Sequence, residues 1–168
     1  MRTIRNGEDL QDFPASLAGV TIGSRWVLAQ FVVLVLIAVA IALTGSEPQI
    51  GSTLVAIVLF LIGQGMAVAA AIQMRQYISA HPAPAPGASL LQNGIYSLVR
   101  HPMYGGVMLM AAAVSVFDRN VVAVLLTVGL TGLFFGKSRY EESLLRDVFL
   151  GYPEYANRVQ RRFIPWVL

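Results

Sequence analysis

The chain has no cysteine and only two histidines, His81 and His101, among its 168 residues. The first absence excludes disulfides, thiolate metal centres and cysteine nucleophiles together. The second leaves too few ligands for a histidine-rich metal site, so no metal is expected. Charge is scarce as well. Asp, Glu, Lys and Arg make up 12% of the residues and hydrophobic side chains 56%, whereas soluble domains carry roughly a quarter charged residues. A lipid environment follows. The basic excess is small, 12 Lys and Arg against 9 Asp and Glu. It lies beside apolar spans, where basic residues signal topology, and no nucleic-acid partner is expected.

The first 24 residues contain Arg2, Arg5, Glu8, Asp9 and Asp12 and no apolar core, so a signal peptide is not expected. Residues 26–43 are apolar except for Gln30 and read as the first transmembrane helix, with Arg25 and Trp26 as interfacial anchors. Gly45 and Pro48 mark the loop that ends it. Residues 52–72 form the second span, with helical character to about residue 78, so its end projects beyond the hydrocarbon. Gly63, Gly65, Ala67, Ala69, Ala70 and Ala71 suit it to close helix packing. Gln64, in mid-span, reads either as an interhelical hydrogen-bond partner or as part of a polar cavity.

Pro82, Pro84 and Pro86 make the stretch from His81 to Gly87 an extended connector. Residues 90–99 follow as a loop or short helix. Two shorter apolar runs, 103–117 and 121–135, flank Asp118-Arg119-Asn120 and predict a tight helical hairpin. From Lys137 the pattern changes. Tyr140, Leu144, Leu145, Val148 and Phe149 recur at helical spacing among charged residues, which predicts an amphipathic helix. Gly151 and Pro153 break it, and residues 155–162 resume as a short helix.

These elements predict an all-α integral membrane protein, with about four transmembrane helices and a cytoplasmic amphipathic C-terminal helix. The whole chain, 1–168, is expected to be one domain. It comprises a cytoplasmic N-terminal segment 1–24, a transmembrane bundle 25–135 with a cytoplasmic loop 79–101, and a cytoplasmic tail 137–168. Basic residues set the orientation. Of the 12 Lys and Arg residues, only Arg119 falls on the side of the first loop and the hairpin turn. Both termini, the middle loop and the tail are therefore expected in the cytoplasm.

The unusual polar residues gather on that same side. Pro102 suits the first turn of a helix. The amides of Met103 to Gly105 offer donors for an anion, and Gly105-Gly106 permits close approach to the backbone. Arg100 supplies a fork for a carboxylate, and His101 and Tyr104 add directional hydrogen-bonding groups. Glu141 and Glu142 on the tail suit an ammonium group. Taken singly, Arg100 also reads as a headgroup residue and His101 as a cap. The glutamates read equally as a solvated helix face, and Tyr96, Tyr104, Tyr152 and Tyr155 as interfacial aromatics.

Gly94, Tyr96 and the run Arg100-His101-Pro102-Met103-Tyr104-Gly105-Gly106 resemble the core motif of the isoprenylcysteine carboxyl methyltransferase and phospholipid methyltransferase superfamily. Glu141-Glu142 with Leu145, then Tyr152, Tyr155, Arg162 and Pro165, resemble its C-terminal signature, except that Leu150 separates Phe149 from Gly151. The two blocks cover residues 90–168. The resemblance implies S-adenosylmethionine as methyl donor and a lipophilic acceptor that enters from the bilayer. It further implies that Tyr96, His101, Pro102, Tyr104, Gly105, Glu141 and Glu142 bind the cofactor, and that Arg100 and Glu142 serve catalysis. The acceptor it favours is an isoprenylcysteine-like acid, methylated on its carboxyl oxygen. A phospholipid or small-lipid N-methyltransferase is the alternative. An NADPH-dependent membrane enzyme similar to sterol reductases comes second.

Overall fold

The computed structural model describes residues 17–44, 49–75 and 89–165, with the backbone alone for 17–22. The expected N-terminal segment before residue 17, the Gly45 and Pro48 loop and the Pro-rich connector from His81 lie outside them. So do the predicted helical end at 76–78 and the last residues of the tail.

Helices dominate, and no strand occurs among the described residues. They are α1 (Leu17–Thr44), α2 (Ile50–Met74), α3 (Pro102–Phe117), α4 (Val121–Val148) and α5 (Tyr152–Arg158), with a 3-10 turn at Gly94–Ser97 before α3. Three are long and apolar enough to cross a membrane: Gly23–Thr44, Ile50–Met74 and Val121–Val148. The fourth, α3, has 16 residues. At about 1.5 Å per residue it spans about 24 Å, short of a hydrocarbon core of about 30 Å. The chain is thus an all-helical integral membrane protein with three long apolar helices and a shorter one.

One boundary differs from the sequence reading. The apolar run 121–135 and the amphipathic segment after Lys137 are a single 28-residue helix. No proline interrupts it, and Gly136 at the junction carries a penalty of only about 1 kcal/mol, set against its packing under the Trp26 ring. Its length of about 42 Å carries the C-terminal turns past the hydrocarbon. The hairpin turn is as expected. Arg119 takes a left-handed conformation, φ 52°, and Asn120 caps α4 by accepting from the Ala123 amide at 3.0 Å.

That turn is fastened to the end of α1. Thr44 Oγ1 donates to Asp118 Oδ2 at 2.9 Å, and Asn120 Nδ2 donates to the Ala40 carbonyl at 2.8 Å. Ser115 and Thr127 join α3 to α4 through a 3.0 Å hydroxyl contact. The bundle runs in the order α1, α4, α3, α2. Its apolar core contains Ile37, Met108, Ala111, Ala123, Leu130, Phe134 and Phe163.

The α2–α3 contact depends on glycine. A Cβ on Gly63 would lie 2.7 Å from the Gly106 carbonyl oxygen, and one on Gly106 would lie 2.6 Å from that of Gly63. The two backbones touch, which is how small residues associate helices in lipid. Gln64, next to Gly63, is exposed on the outer side of α2. Gly63→Val should therefore lower the thermal midpoint in detergent, at a cost of about 1–3 kcal/mol. Gly65→Ala, with nothing within 4 Å of the added carbon, should not lower it. Equal midpoints for the two variants would refute the backbone contact.

Candidate functional site

The site forms where α3 begins, α4 ends and the C-terminal segment turns back. Pro102 occupies the first turn of α3, where its missing N–H costs nothing. Just before it, the 99–101 segment lies beside the tail: the Arg100 amide donates to the Arg161 carbonyl at 3.0 Å and the His101 amide to that of Arg162 at 2.7 Å. Phe163, fully buried, then sets its carbonyl against Gly105, where any Cβ would overlap it. Gly105 is thus filled by the tail, and Gly106 by α2. The amides of Tyr104 and Gly105 both turn to the His101 carbonyl at 3.2 Å, so fewer free donors remain at this helix start than its sequence suggests.

Glu142 is the centre of the cluster, with 2% exposure. Its Oε1 accepts from Arg100 Nε at 3.0 Å and Arg162 Nε at 3.1 Å, and stands 3.3 Å from His101 Nε2. Its Oε2 accepts from an Arg162 Nη at 3.2 Å, with Arg146 at 3.9 Å, one turn along α4. Arg100 continues from there to the end of α5, donating to the carbonyls of Val159 at 2.8 Å, Ala156 at 3.2 Å and Gln160 at 3.3 Å. A guanidinium on the last carbonyls of a helix supplies the donors that helix lacks.

Glu141 is placed otherwise. Its Oε1 accepts from the Tyr104 hydroxyl at 2.5 Å. Its Oε2 stands 3.6 Å from His101 Nδ1, too far for a hydrogen bond. The His101, Tyr104 and Phe134 rings stack in series, with centroids 5.6 Å and 4.7 Å apart and planes within 5° and 9° of parallel. Tyr96 is buried, and its carbonyl accepts from the Tyr155 hydroxyl at 2.8 Å. Burial pushes the Tyr155 phenol up to about 12, so it remains a donor at neutral pH.

All the residues that the sequence proposes, Tyr96, Arg100, His101, Pro102, Tyr104, Gly105, Glu141 and Glu142, thus lie at one end of the bundle. Arg100 and Glu142, put forward as catalytic, are engaged with each other and with the tail. Beside Arg162, which engages Glu142, three participants stand outside that set. Lys137 and Gln30 are joined at 2.7 Å, and only the solitary polar position in an apolar span hinted at Gln30. The third is the Tyr152 hydroxyl, which is, among the described residues, the buried side-chain polar atom without a hydrogen-bond partner.

Removing the charge of Glu142 leaves Arg100 and Arg162 facing a neutral group in a buried setting, a change that typically costs about 3–5 kcal/mol. Glu142→Gln should therefore melt well below the parent in detergent, and Glu141→Gln should lose much less. A larger loss for Glu141→Gln would reverse the two roles.

No curated protein matches the chain. Over residues 1–159 it matches a family described as a protein of unknown function, DUF1295. That match covers nearly the whole sequence, and the chain belongs to the DUF1295 family.

Proposed function

We propose that the protein is an S-adenosylmethionine-dependent membrane methyltransferase acting on a lipophilic acceptor, an isoprenylcysteine-like acid above all. The observation that carries this reading is the two-carboxylate cluster around His101. Two segments that resemble a methyltransferase signature, 94–106 and 141–165, meet there through named contacts. The distribution of Lys and Arg supports a cytoplasmic position for this end, where the cofactor is made available.

The residues suit such a cofactor. Glu141 keeps an oxygen without a close donor, which fits an α-ammonium group. The unpartnered Tyr152 hydroxyl offers a further polar contact, and the flat His101–Tyr104–Phe134 stack suits a purine. Bound there, S-adenosylmethionine would supply an activated methyl group. An ionised carboxylate acceptor is already nucleophilic and needs no general base. What remains for the chain is to hold, orient and exclude water. Glu142, Arg100 and Arg162 fit that task by fastening the tail to α3 and α4, and Glu141, His101 and Tyr104 by facing the ligand.

Calorimetric titration of the detergent-solubilised protein with S-adenosylhomocysteine should give saturable binding that His101→Ala abolishes, and NADPH should give none. Unchanged binding by His101→Ala would remove His101 from the pocket, and binding of NADPH alone would replace the methyltransferase reading with a reductase.

A further inference from the structure

Lys137 belongs to α4 immediately after its apolar run and is 4% exposed. A buried ammonium ordinarily has a carboxylate beside it, since an uncompensated charge costs several kcal/mol. Among the described residues Lys137 forms no ion pair, and Glu141, one turn on in α4, acts on it only from beyond ion-pair distance. The Lys137 hydrogen bond goes to a neutral amide, Gln30 Oε1 of α1, at 2.7 Å. Its Nζ also lies 4.9 Å from the centre of the Tyr104 ring, so the ring face supplies part of the compensation. Of the nearby acidic groups, Glu142 is engaged with Arg100 and Arg162, and Glu141 gives one oxygen to Tyr104 and makes no direct contact with the ammonium.

An ammonium has three donors, and one is used in a hydrogen bond among the described residues. The cation is therefore held at the site with no carboxylate in direct contact among the described residues. Gln30 comes from α1, whose Phe31, Val35 and Leu28 are exposed on the lipid-facing surface. Trp26, one turn from Gln30, lies against Gly136, with 2.7 Å between its ring and a Cβ there.

We propose that Lys137, held by Gln30, is the docking point for the carboxylate of a lipophilic acid that enters beside α1. The ligand binds as its anion, and no bond is made or broken. This inference rests on the methyltransferase reading for the identity of the ligand, and deepens it by naming the group that selects an acid over an amine or alcohol. Lys137 is thus a specificity determinant, distinct from the Glu141–His101 face that suits the cofactor. An intramembrane ionisable residue is expected to mark such a ligand path.

The test uses the indole beside Lys137. Of the two tryptophans, the other, Trp166, lies outside the described residues, and Trp166→Phe leaves Trp26 as the reporter. This protein is titrated in detergent with S-farnesylthioacetic acid and with its primary amide, in the absence of any nucleoside. The acid should change Trp26 emission saturably, and the amide should bind about tenfold more weakly or worse, the worth of one charge-assisted hydrogen bond. Lys137→Met should bring the acid to the amide's affinity, and Lys137→Arg should keep most of the preference.

Equal affinity for acid and amide in the parent protein overturns the proposal without reference to any variant, and so does acid binding unchanged by Lys137→Met. A Lys137-dependent response to S-adenosylhomocysteine with none to the acid also overturns it, since the anion would then be the cofactor's own carboxylate. Acid binding that depends on Lys137, together with failure of S-adenosylhomocysteine to bind, leaves the docking point standing and removes the methyltransferase reading instead.

Discussion

A buried carboxylate that faces several cations cannot be satisfied by one stretch of chain. Glu142 draws Arg100 from the segment before α3 and Arg162 from the tail, with His101 beside it, so three separate parts of the sequence converge on one pair of oxygens. In a region next to lipid this constraint is severe, because an unpaired charge has no water to turn to. The fold at this end follows from it. Arg100 reaches the carbonyls that close α5, the backbone of 100–101 pairs with 161–162, and Phe163 is carried into the core against Gly105. A short apolar helix and a polar tail become one rigid corner.

The opposite end of the bundle is held without ion pairs among the described residues. Thr44, Asp118 and Asn120 tie α1 to the hairpin turn, and α2 leans on α3 through glycine backbones. Lipid supplies no hydrophobic drive between helices, so close approach and interhelical hydrogen bonds do that work. Helix α3 is too short to cross the hydrocarbon alone, but it lies between α2 and α4. Its polar start at Arg100 and His101 is therefore enclosed by protein.

The two adjacent glutamates illustrate how position divides labour. They share a sequence environment and a helix, yet one turns into a nest of guanidinium groups and the other toward an aromatic hydroxyl. The first fits a clamp and the second a ligand contact. Lys137, one turn before Glu141, completes the pattern as a cation that meets a neutral amide, Gln30 of α1, in place of a direct carboxylate contact.

Much of this was written in the chain's order. Scarce charge and long apolar runs dictate a membrane helix bundle, because a span of about 20 apolar residues has few other resting places. The turn residues Asp118 to Asn120 and the proline at α3 locate their own boundaries through local backbone chemistry. The cluster of candidate residues is legible too, since unusual polar side chains beside apolar spans are costly and so stand out. The continuity of α4 across Gly136 is not, because a single glycine ends a helix or not according to what packs on it, here the Trp26 ring of α1. Which glutamate binds the arginines, and that Gln30 meets Lys137, depend on rotation and depth of helices far apart in sequence. Those pairings arise only when the bundle closes, and only tertiary packing decides them.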